Sequence, residues 1–569
     1  MSERVVIDPV TRIEGHLRIE VLADGEEITD AWSQTTQFKG VELVVQNRDP
    51  RDAWAFTQRI CGVCTVVHAI ASVRAVEDAL DYPVPKAADL IRYLVLGSQM
   101  VQDHVIHFYH LHALDFVNVA NVPNADVAAA AAAAAELEPK YALNSRNRFQ
   151  AVQDQVKAVL DSGQLSIFTN GYWDHPDYRL PAEVDLIAVS HYLDALEWQR
   201  DMIRINTIFG GKNPHPNFLV GGMASAINMD SEITINQVKL NTVQGLITKT
   251  IDFVENVYLP DVVAILGAYA DYLDIGRSSP SFLALGKGGY SCSGEPSPPD
   301  GFKPGLILDG KLEVVDFDPD KLLEYVTSGW YRYSEDSEAG LQPWVGETIP
   351  DYTGPTPPYD WLADNDKYTW SKAPRYDGRP VQVGPLARVL SAYVQGDPET
   401  VDDVEPLLRK LNAQPEQLNS TAGRILARAV EAVQMSRELQ RVFDRLVQGI
   451  QAGDVQTFNP DKWEKSTWPA ESKGVGYAEV ARGNLSHWVR ISDGAVSNYQ
   501  CVVPSTWNSS GRALGERGPY EEALVPHPLV RPEQPLEPLR TIHSFDPCQS
   551  CGIHVLDVTG QEVSWTKVQ

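Results

Sequence analysis

At 569 residues, 43% hydrophobic and 22% charged, the chain carries enough apolar material to bury a large core, as one big domain or two or three merged ones. Its net charge of -28 and pI near 4.8 argue against nucleic acid or an anionic membrane surface as the main partner. The opening MSERVVIDPV lacks the basic and apolar regions of a secretory signal, and the longest apolar run, a valine and eight alanines over 127–135, is far short of a membrane span.

Taken in chain order, residues 15–21 and 28–34 alternate as two strands joined by a turn at Asp24-Gly25, with Glu14 at the entrance. Residues 52–59 and 65–80 read as helices separated by a break at Cys61-Gly62-Val63-Cys64, and Val66, Ile70, Val73 and Val76 share one buried face. That places Cys64 at a helix N-terminus, where amide donors and the dipole favour thiolate. Residues 86–118 form a long helical pattern dense in histidine (His104, His107, His110, His112), read as packed, hydrogen-bonded core side chains rather than a zinc site. The alanine run within 124–139 departs from the pattern as an inserted surface helix or excursion with no assigned role.

Further helical stretches cover 183–209 and 231–272, linked by GGKNPHPNFLVGG, whose glycines indicate tight turns; its Lys212 lacks the Walker spacing of a phosphate loop. Residues 294–305 are a Pro/Gly-rich connection, and 306–317 read as a hairpin about Asp309-Gly310. Residues 329–379 are rich in Trp, Tyr and Pro and read as an aromatic-pinned irregular region. Helix returns at 401–411 and 420–450, the latter with a Met435, Leu439, Val442, Leu446 stripe; residues 477–503 read as two strands joined at Asp493-Gly494. The expected fold is α+β, mainly helical, with a central long-helix bundle and small β-sheets near the N- and C-terminal parts.

Four of the six cysteines form two C-x-x-C pairs at opposite ends, RICGVCTVVH with Cys61 and Cys64 and DPCQSCGIH with Cys548 and Cys551. Thiolates are soft ligands for zinc, nickel, copper(I) and iron, and two intervening residues let both sulfurs face one ion. A structural four-cysteine zinc site in a non-catalytic interaction protein is one reading. Structural zinc motifs, however, bring their halves together within a few tens of residues. His68, one turn beyond Cys64, is a supporting neighbour at most, and Cys292 and Cys501 read as buried small hydrophobes.

These residues carry a resemblance to the large, catalytic subunit of nickel-iron hydrogenases of the uptake type. It runs through DPVTRIEGHLRIE, FKGVELVVQNRDPRDAWAFTQRICGVCTVVHA, HFYHLHALDF, GGKNPHP, ARGNLSHW, NYQCVVPSTWN and RTIHSFDPCQSCGIH. The resemblance implies a nickel ion held by Cys61, Cys64, Cys548 and Cys551, with Cys64 and Cys551 bridging to an iron that carries one carbon monoxide and two cyanides. Arg482, Pro504 and Ser505 would line those diatomic ligands. Glu42, the backbone carbonyl of Cys501 and His554 would hold a magnesium or iron ion.

The implied reaction is reversible heterolytic cleavage of H2, with the proton taken by Cys548 and relayed to Glu14, or taken by Arg482 tuned by Asp103 and Asp546. Two leftover cysteines cannot ligate an electron relay, so an iron-sulfur small subunit is the implied partner, in a heterodimer or a dimer of heterodimers. Nickel-insertion proteins and a maturation protease are implied too, the latter cutting between His554 and Val555 to release 555–569 from a single 1–554 domain. Within the family a hydrogen-sensing subunit is the alternative, though sensors generally lack such a tail. A relative of the quinone-binding subunit of respiratory complex I would lack the cysteine pairs. The expected location is the periplasmic side of the membrane, through export with the partner, or alternatively the cytoplasm. Ala481 stands where the family usually has proline.

Overall fold

The computed structural model describes residues 3–165, 168, 171–285, 304–335, 339–355 and 361–549; Cys292, Cys551, His554, Val555 and most of the 294–305 connection lie outside them. β1 (Glu3–Ile7), β2 (Leu17–Asp24) and β3 (Glu27–Thr35) form an antiparallel meander whose β2–β3 turn uses Gly25 at φ 66°. The expected hairpin is present, and β1 adds a strand before it.

α1 (Val67–Leu80) begins three residues beyond Cys64, so Cys64 sits in the turn leading into the helix rather than in its first amide cluster. α2 (Lys86–Ile106) continues into a π-helical stretch, His107–His112. Two of its four histidines hydrogen-bond as expected: His107 Nε2 lies 2.6 Å from the His543 carbonyl and His110 Nε2 3.1 Å from that of Tyr192. His104 and His112 are buried without a ring hydrogen bond, their Nε2 atoms 3.2 Å from Glu431 Oε2 and 4.0 Å from Asp115 Oδ2. The alanine run forms α3 (Val127–Leu137), started by Asp126, whose Oδ1 accepts from the Ala128 and Ala129 amides. Its buried face, Val127, Ala130 and Ala134, docks on α4 (Arg146–Asp161) and α5 (Ala182–Met202).

α6 (Gln237–Phe253), α7 (Pro385–Val394) and the 31-residue α8 (Thr421–Gln451) complete the helical centre, in which α8 packs along both α2 and α6. The α2–α8 approach is close at Gly97, where a Cβ would stand 3.0 Å from Leu439 Cδ2. β4 (Glu471–Val480), β5 (Gly483–Ser492) and β6 (Ala495–Val502) form an antiparallel sheet of three strands, not the two read from the sequence. The extra strand escaped notice because the first residues of β4, Glu471–Lys473, are solvated and carry no apolar alternation. The β4 face lies directly on α1: a Cβ at Gly474 would meet Ala79 N at 2.2 Å, and one at Gly476 would meet Ala71 O at 2.0 Å.

α9 (Leu536–Ser544) then leads the chain back to the centre. Short mid-chain pairings add to the two terminal sheets, among them Phe282–Ala284 between Gly305–Ile307 and Gln382–Val383. Leu306 and Val315 exchange backbone hydrogen bonds around the Asp309-Gly310 turn, as the hairpin reading requires. No helix among the described residues is long and apolar enough to cross a membrane.

Candidate metal centre

Cys61 and Cys548, 487 positions apart, are brought to an Sγ–Sγ distance of 3.4 Å. That is far beyond a disulfide bond, near 2.05 Å, and matches the edge of about 3.3–3.8 Å expected between two sulfurs bound near 2.3 Å to one ion. The Cys64 amide donates to Cys61 Sγ at 3.2 Å, and ligand atoms of Cys61, Cys64 and Cys548 all lie within 4.8 Å of one another. All three are buried. The break after the Gln58–Ile60 turn supplies the first two; the segment after α9 supplies the third. Strapped alongside is Glu14: its backbone pairs with Cys548, and its carbonyl accepts the Gln549 amide at 2.7 Å.

Arg482 occupies the two-residue β4–β5 turn with Ala481, so hairpin geometry is kept without the family proline. Its Nε donates to the Asp546 carbonyl at 3.0 Å and Nη2 to Asp546 Oδ1 at 2.9 Å, while Nη1 lies 3.6 Å from Asp103 Oδ2. Burial alone would lower the Arg482 pKa, but Asp546, Cys548 and Asp103 together push it well above the ordinary arginine value. Burial raises the Asp103 carboxyl to about 8 against the pull of Arg482.

Arg482, Pro504 and Ser505 line one small cavity together with Cys64 and His68, walled by Val67, Leu485 and Val503. Ser505 Oγ accepts the Cys548 amide at 3.2 Å, which ties the cavity wall to the cysteine segment. His68 Nδ1 lies 3.0 Å from His487 Nε2, whose Nδ1 lies 2.7 Å from the Tyr499 hydroxyl, which donates to Ser72 Oγ at 2.8 Å. This chain fixes the His68 ring beside the cavity. His487 and Tyr499 stand within ARGNLSHW and NYQCVVPSTWN with no role legible from the sequence; strand alternation around ARGNLSHW is the only signal that could have paired them.

Glu42 builds a second polar group. Oε1 accepts the Cys501 amide at 2.8 Å, Oε2 accepts the Thr348 hydroxyl, and Lys372 Nζ lies 3.7 Å away. Lys372 also donates to Gln500 Oε1 at 2.6 Å and faces Glu324 at 3.8 Å. Burial pushes Glu324 up to about 7, with Lys372 pulling it back, and neither of its carboxylate oxygens has a hydrogen-bond partner. Lys372 and Glu324 escaped the sequence reading because they lie singly in irregular or edge segments.

The donor set fits the chemistry of a soft metal: three buried thiols converge, the guanidinium of Arg482 stands over an adjoining apolar-walled cavity, and the fourth expected ligand, Cys551, follows just beyond Gln549. The Glu42 group, with two carboxylates against one ammonium, fits a small oxygen-ligated cation. Fold and site together define a protein built to hold a soft metal with cysteines from both ends of the sequence.

Comparison with known proteins agrees. The family model for nickel-dependent hydrogenases matches residues 39–554, and a HoxL-like model matches 4–38. The chain is 46% identical to the uptake hydrogenase large subunit of Bradyrhizobium diazoefficiens and 44% identical to the hydrogenase-1 large chain of Escherichia coli, in each case over 100% of this chain and 98% of the relative. Among solved structures, the Ni-Fe-Se hydrogenase of Desulfovibrio vulgaris Hildenborough superposes with a TM-score of 0.75 at 30% identity, covering 97% of this chain and 100% of that one. The chain belongs to the nickel-dependent hydrogenase family.

Proposed function

We propose that this chain is the catalytic subunit for reversible heterolytic cleavage of H2. The observation that carries it is the convergence of Cys61, Cys64 and Cys548 beside the Arg482–Asp546–Asp103 group and its cavity. Cys61, Cys64, Cys548 and Cys551 would hold nickel and iron, which when bound supply two Lewis acids that polarise the H–H bond. Arg482 and the Ser505 hydroxyl would offer hydrogen-bond donors to cyanide ligands, and Val67, Leu485, Val503 and Pro504, which wall the same cavity, would keep water from the diatomic ligands.

For the proton, a thiolate at Cys548 is the better base than Arg482. A guanidinium whose pKa is raised by Asp546, Cys548 and Asp103 does not give up its proton near neutral pH, and serves to orient charge. The Glu14 backbone pairing with Cys548 supports Glu14 as the next acceptor. Glu42 and the Cys501 carbonyl, with His554, would hold magnesium or iron.

Electrons must leave through an iron-sulfur small subunit, since Cys292 and Cys501 are too few to ligate a relay. The precursor reading, with a protease acting after His554 once nickel-insertion proteins have loaded the site, rests on the resemblance alone, as does export to the periplasmic side with the partner, the cytoplasm being the alternative. H2-dependent dye reduction by the two-subunit complex tests the reading. Activity that depends on nickel and vanishes in Cys61→Ser and Cys548→Ser supports it; a fully nickel-loaded complex without activity overturns it.

A further inference from the structure

The alanine helix α3 ends at a buried cluster outside the cysteine centre. Glu138 follows its last turn, His191 lies in the middle of α5, and Asp261 stands in the first turn of the helix Leu259–Ala268. The three are 2%, 0% and 4% exposed, and one ligand atom from each lies within 4.8 Å of the other two. Among the described residues neither carboxylate has an arginine or lysine partner. Each has only the His191 ring, with Glu138 Oε2 3.3 Å from Nε2 and Asp261 Oδ2 2.8 Å from Nδ1. The neighbouring Asp194 is the compensated case, accepting from Arg148 Nη2 at 2.6 Å.

The hydrogen bonds around the cluster assign the ring its tautomer. Asn144 Nδ2 donates to Glu138 Oε2 at 2.6 Å, which turns Asn144 Oδ1 toward His191 Nε2 at 2.9 Å. Oδ1 and Oε2 are both acceptors, so Nε2 carries a hydrogen. In the neutral ring Nδ1 then presents its lone pair to Asp261, whose Oδ2 already accepts the Tyr109 hydroxyl at 2.6 Å. The remaining Glu138 oxygen, Oε1, is closed off from solvent and has no hydrogen-bond partner. One ring nitrogen fixed by a carbonyl oxygen and the other left free is the arrangement of a metal-ligating histidine.

Burial and the Asp261 charge each raise the Glu138 carboxyl, so the cluster takes up positive charge. Protons supply it only in pairs, one for the Nδ1–Asp261 contact and one for Glu138 Oε1, and leave a charged imidazolium in the core. One divalent ion fills both gaps at once and cancels two carboxylates beside a neutral ring. Imidazole and carboxylate ligands bind zinc at about 2.0–2.2 Å, which sets them roughly 2.8–3.6 Å apart, so side-chain adjustments of about an ångström complete the shell. An imidazole in the set favours zinc over magnesium or manganese, which keep to oxygen ligands.

We propose that Glu138, His191 and Asp261 bind one zinc ion, through Glu138 Oε1, His191 Nδ1 and an Asp261 carboxylate oxygen. Asn144 and Tyr109 hold the ligands from behind. The ion fastens the end of α3 to α5 and to the helix Leu259–Ala268, which gives the alanine segment a structural role.

The test is metal analysis of the two-subunit complex, purified without added metal, together with anomalous diffraction on both sides of the zinc edge. The expected result is one zinc per large chain in addition to nickel, seen as a peak within about 2.2 Å of the three ligand atoms. In Glu138→Gln the zinc is lost while nickel is retained. Wild-type crystals with no zinc peak between the three side chains, or with zinc confined to the molecular surface, overturn the proposal and leave the carboxylates holding protons. A variant that keeps its zinc overturns it as well. Where the variant does not assemble or loses nickel too, the wild-type crystals decide alone.

Discussion

Replacing Arg482 with lysine keeps the positive charge and removes the fork, which makes it the sharpest probe of the cavity beside the cysteines. Arginine donates to both the carbonyl and the carboxylate of Asp546, at 3.0 and 2.9 Å, while reaching toward Asp103 at 3.6 Å. A lysine ammonium is a point charge on a flexible stem and cannot hold all three at once. Each lost charge-assisted hydrogen bond is worth about 1.5–3 kcal/mol, so misplacing the donor over the centre removes roughly 3–4 kcal/mol of transition-state stabilisation. At about 1.4 kcal/mol per decade, kcat in H2-dependent dye reduction falls by about 100- to 1,000-fold. Nickel content, measured on the same preparation, is expected to stay at the wild-type level, because no cysteine is disturbed. A variant that keeps more than about half of its activity with nickel fully loaded would refute the role given to Arg482. One that loses nickel in parallel would show that the residue serves assembly instead.

Gly476→Ala places a methyl 2.0 Å from Ala71 O and 2.4 Å from Ala75 N, both α1 backbone that cannot yield, and is expected to lower the melting temperature or abolish soluble complex; an unchanged melt would contradict the sheet-on-helix packing. Arg388→Leu strands Glu431 and Glu479 in the core and is expected to cost about 3–5 kcal/mol in denaturant unfolding, whereas an unaffected midpoint would show the carboxylates neutral in the native protein. His527, bonded 2.7 Å from Thr541 Oγ1, is lowered by burial to about 4 from an ordinary value near 6.5. Its neutral form is the folded one, so its contribution is full above pH 6.5 and lost as pH falls toward 4, up to about 3 kcal/mol. His527→Gln is expected to flatten the stability slope over that interval, and an unaltered slope would assign the acid sensitivity elsewhere.

Much of the site was legible because its chemistry is concentrated in short, residue-specific runs. The C-x-x-C pairs announced a thiolate centre, and Cys61, Cys64 and Cys548 do meet. Arg482, Pro504 and Ser505 do line one cavity. The long helices followed from apolar periodicity, with α8 running from Thr421 to Gln451 against an expectation of 420–450. What escaped depends on tertiary contact. The first residues of β4 gain their place by pairing with β5, not by alternation. The π-helical stretch His107–His112 lies where the His107 and His110 rings meet carbonyls on distant elements. Lys372 gains meaning only when folding sets it between Glu42 and Glu324, residues that are 282 positions apart. The alanine run, read as a surface helix or an excursion, is a helix whose Val127, Ala130 and Ala134 are buried, a face that a run of identical small residues does not mark out in the sequence.

The most direct test of the central claim is nickel and infrared analysis of the intact two-subunit complex. The account predicts one nickel per large chain, together with stretching bands of iron-bound carbon monoxide and cyanide, and loss of both in Cys548→Ser. Zinc in place of nickel with no diatomic bands, in protein whose C-terminal extension has been removed, would contradict it.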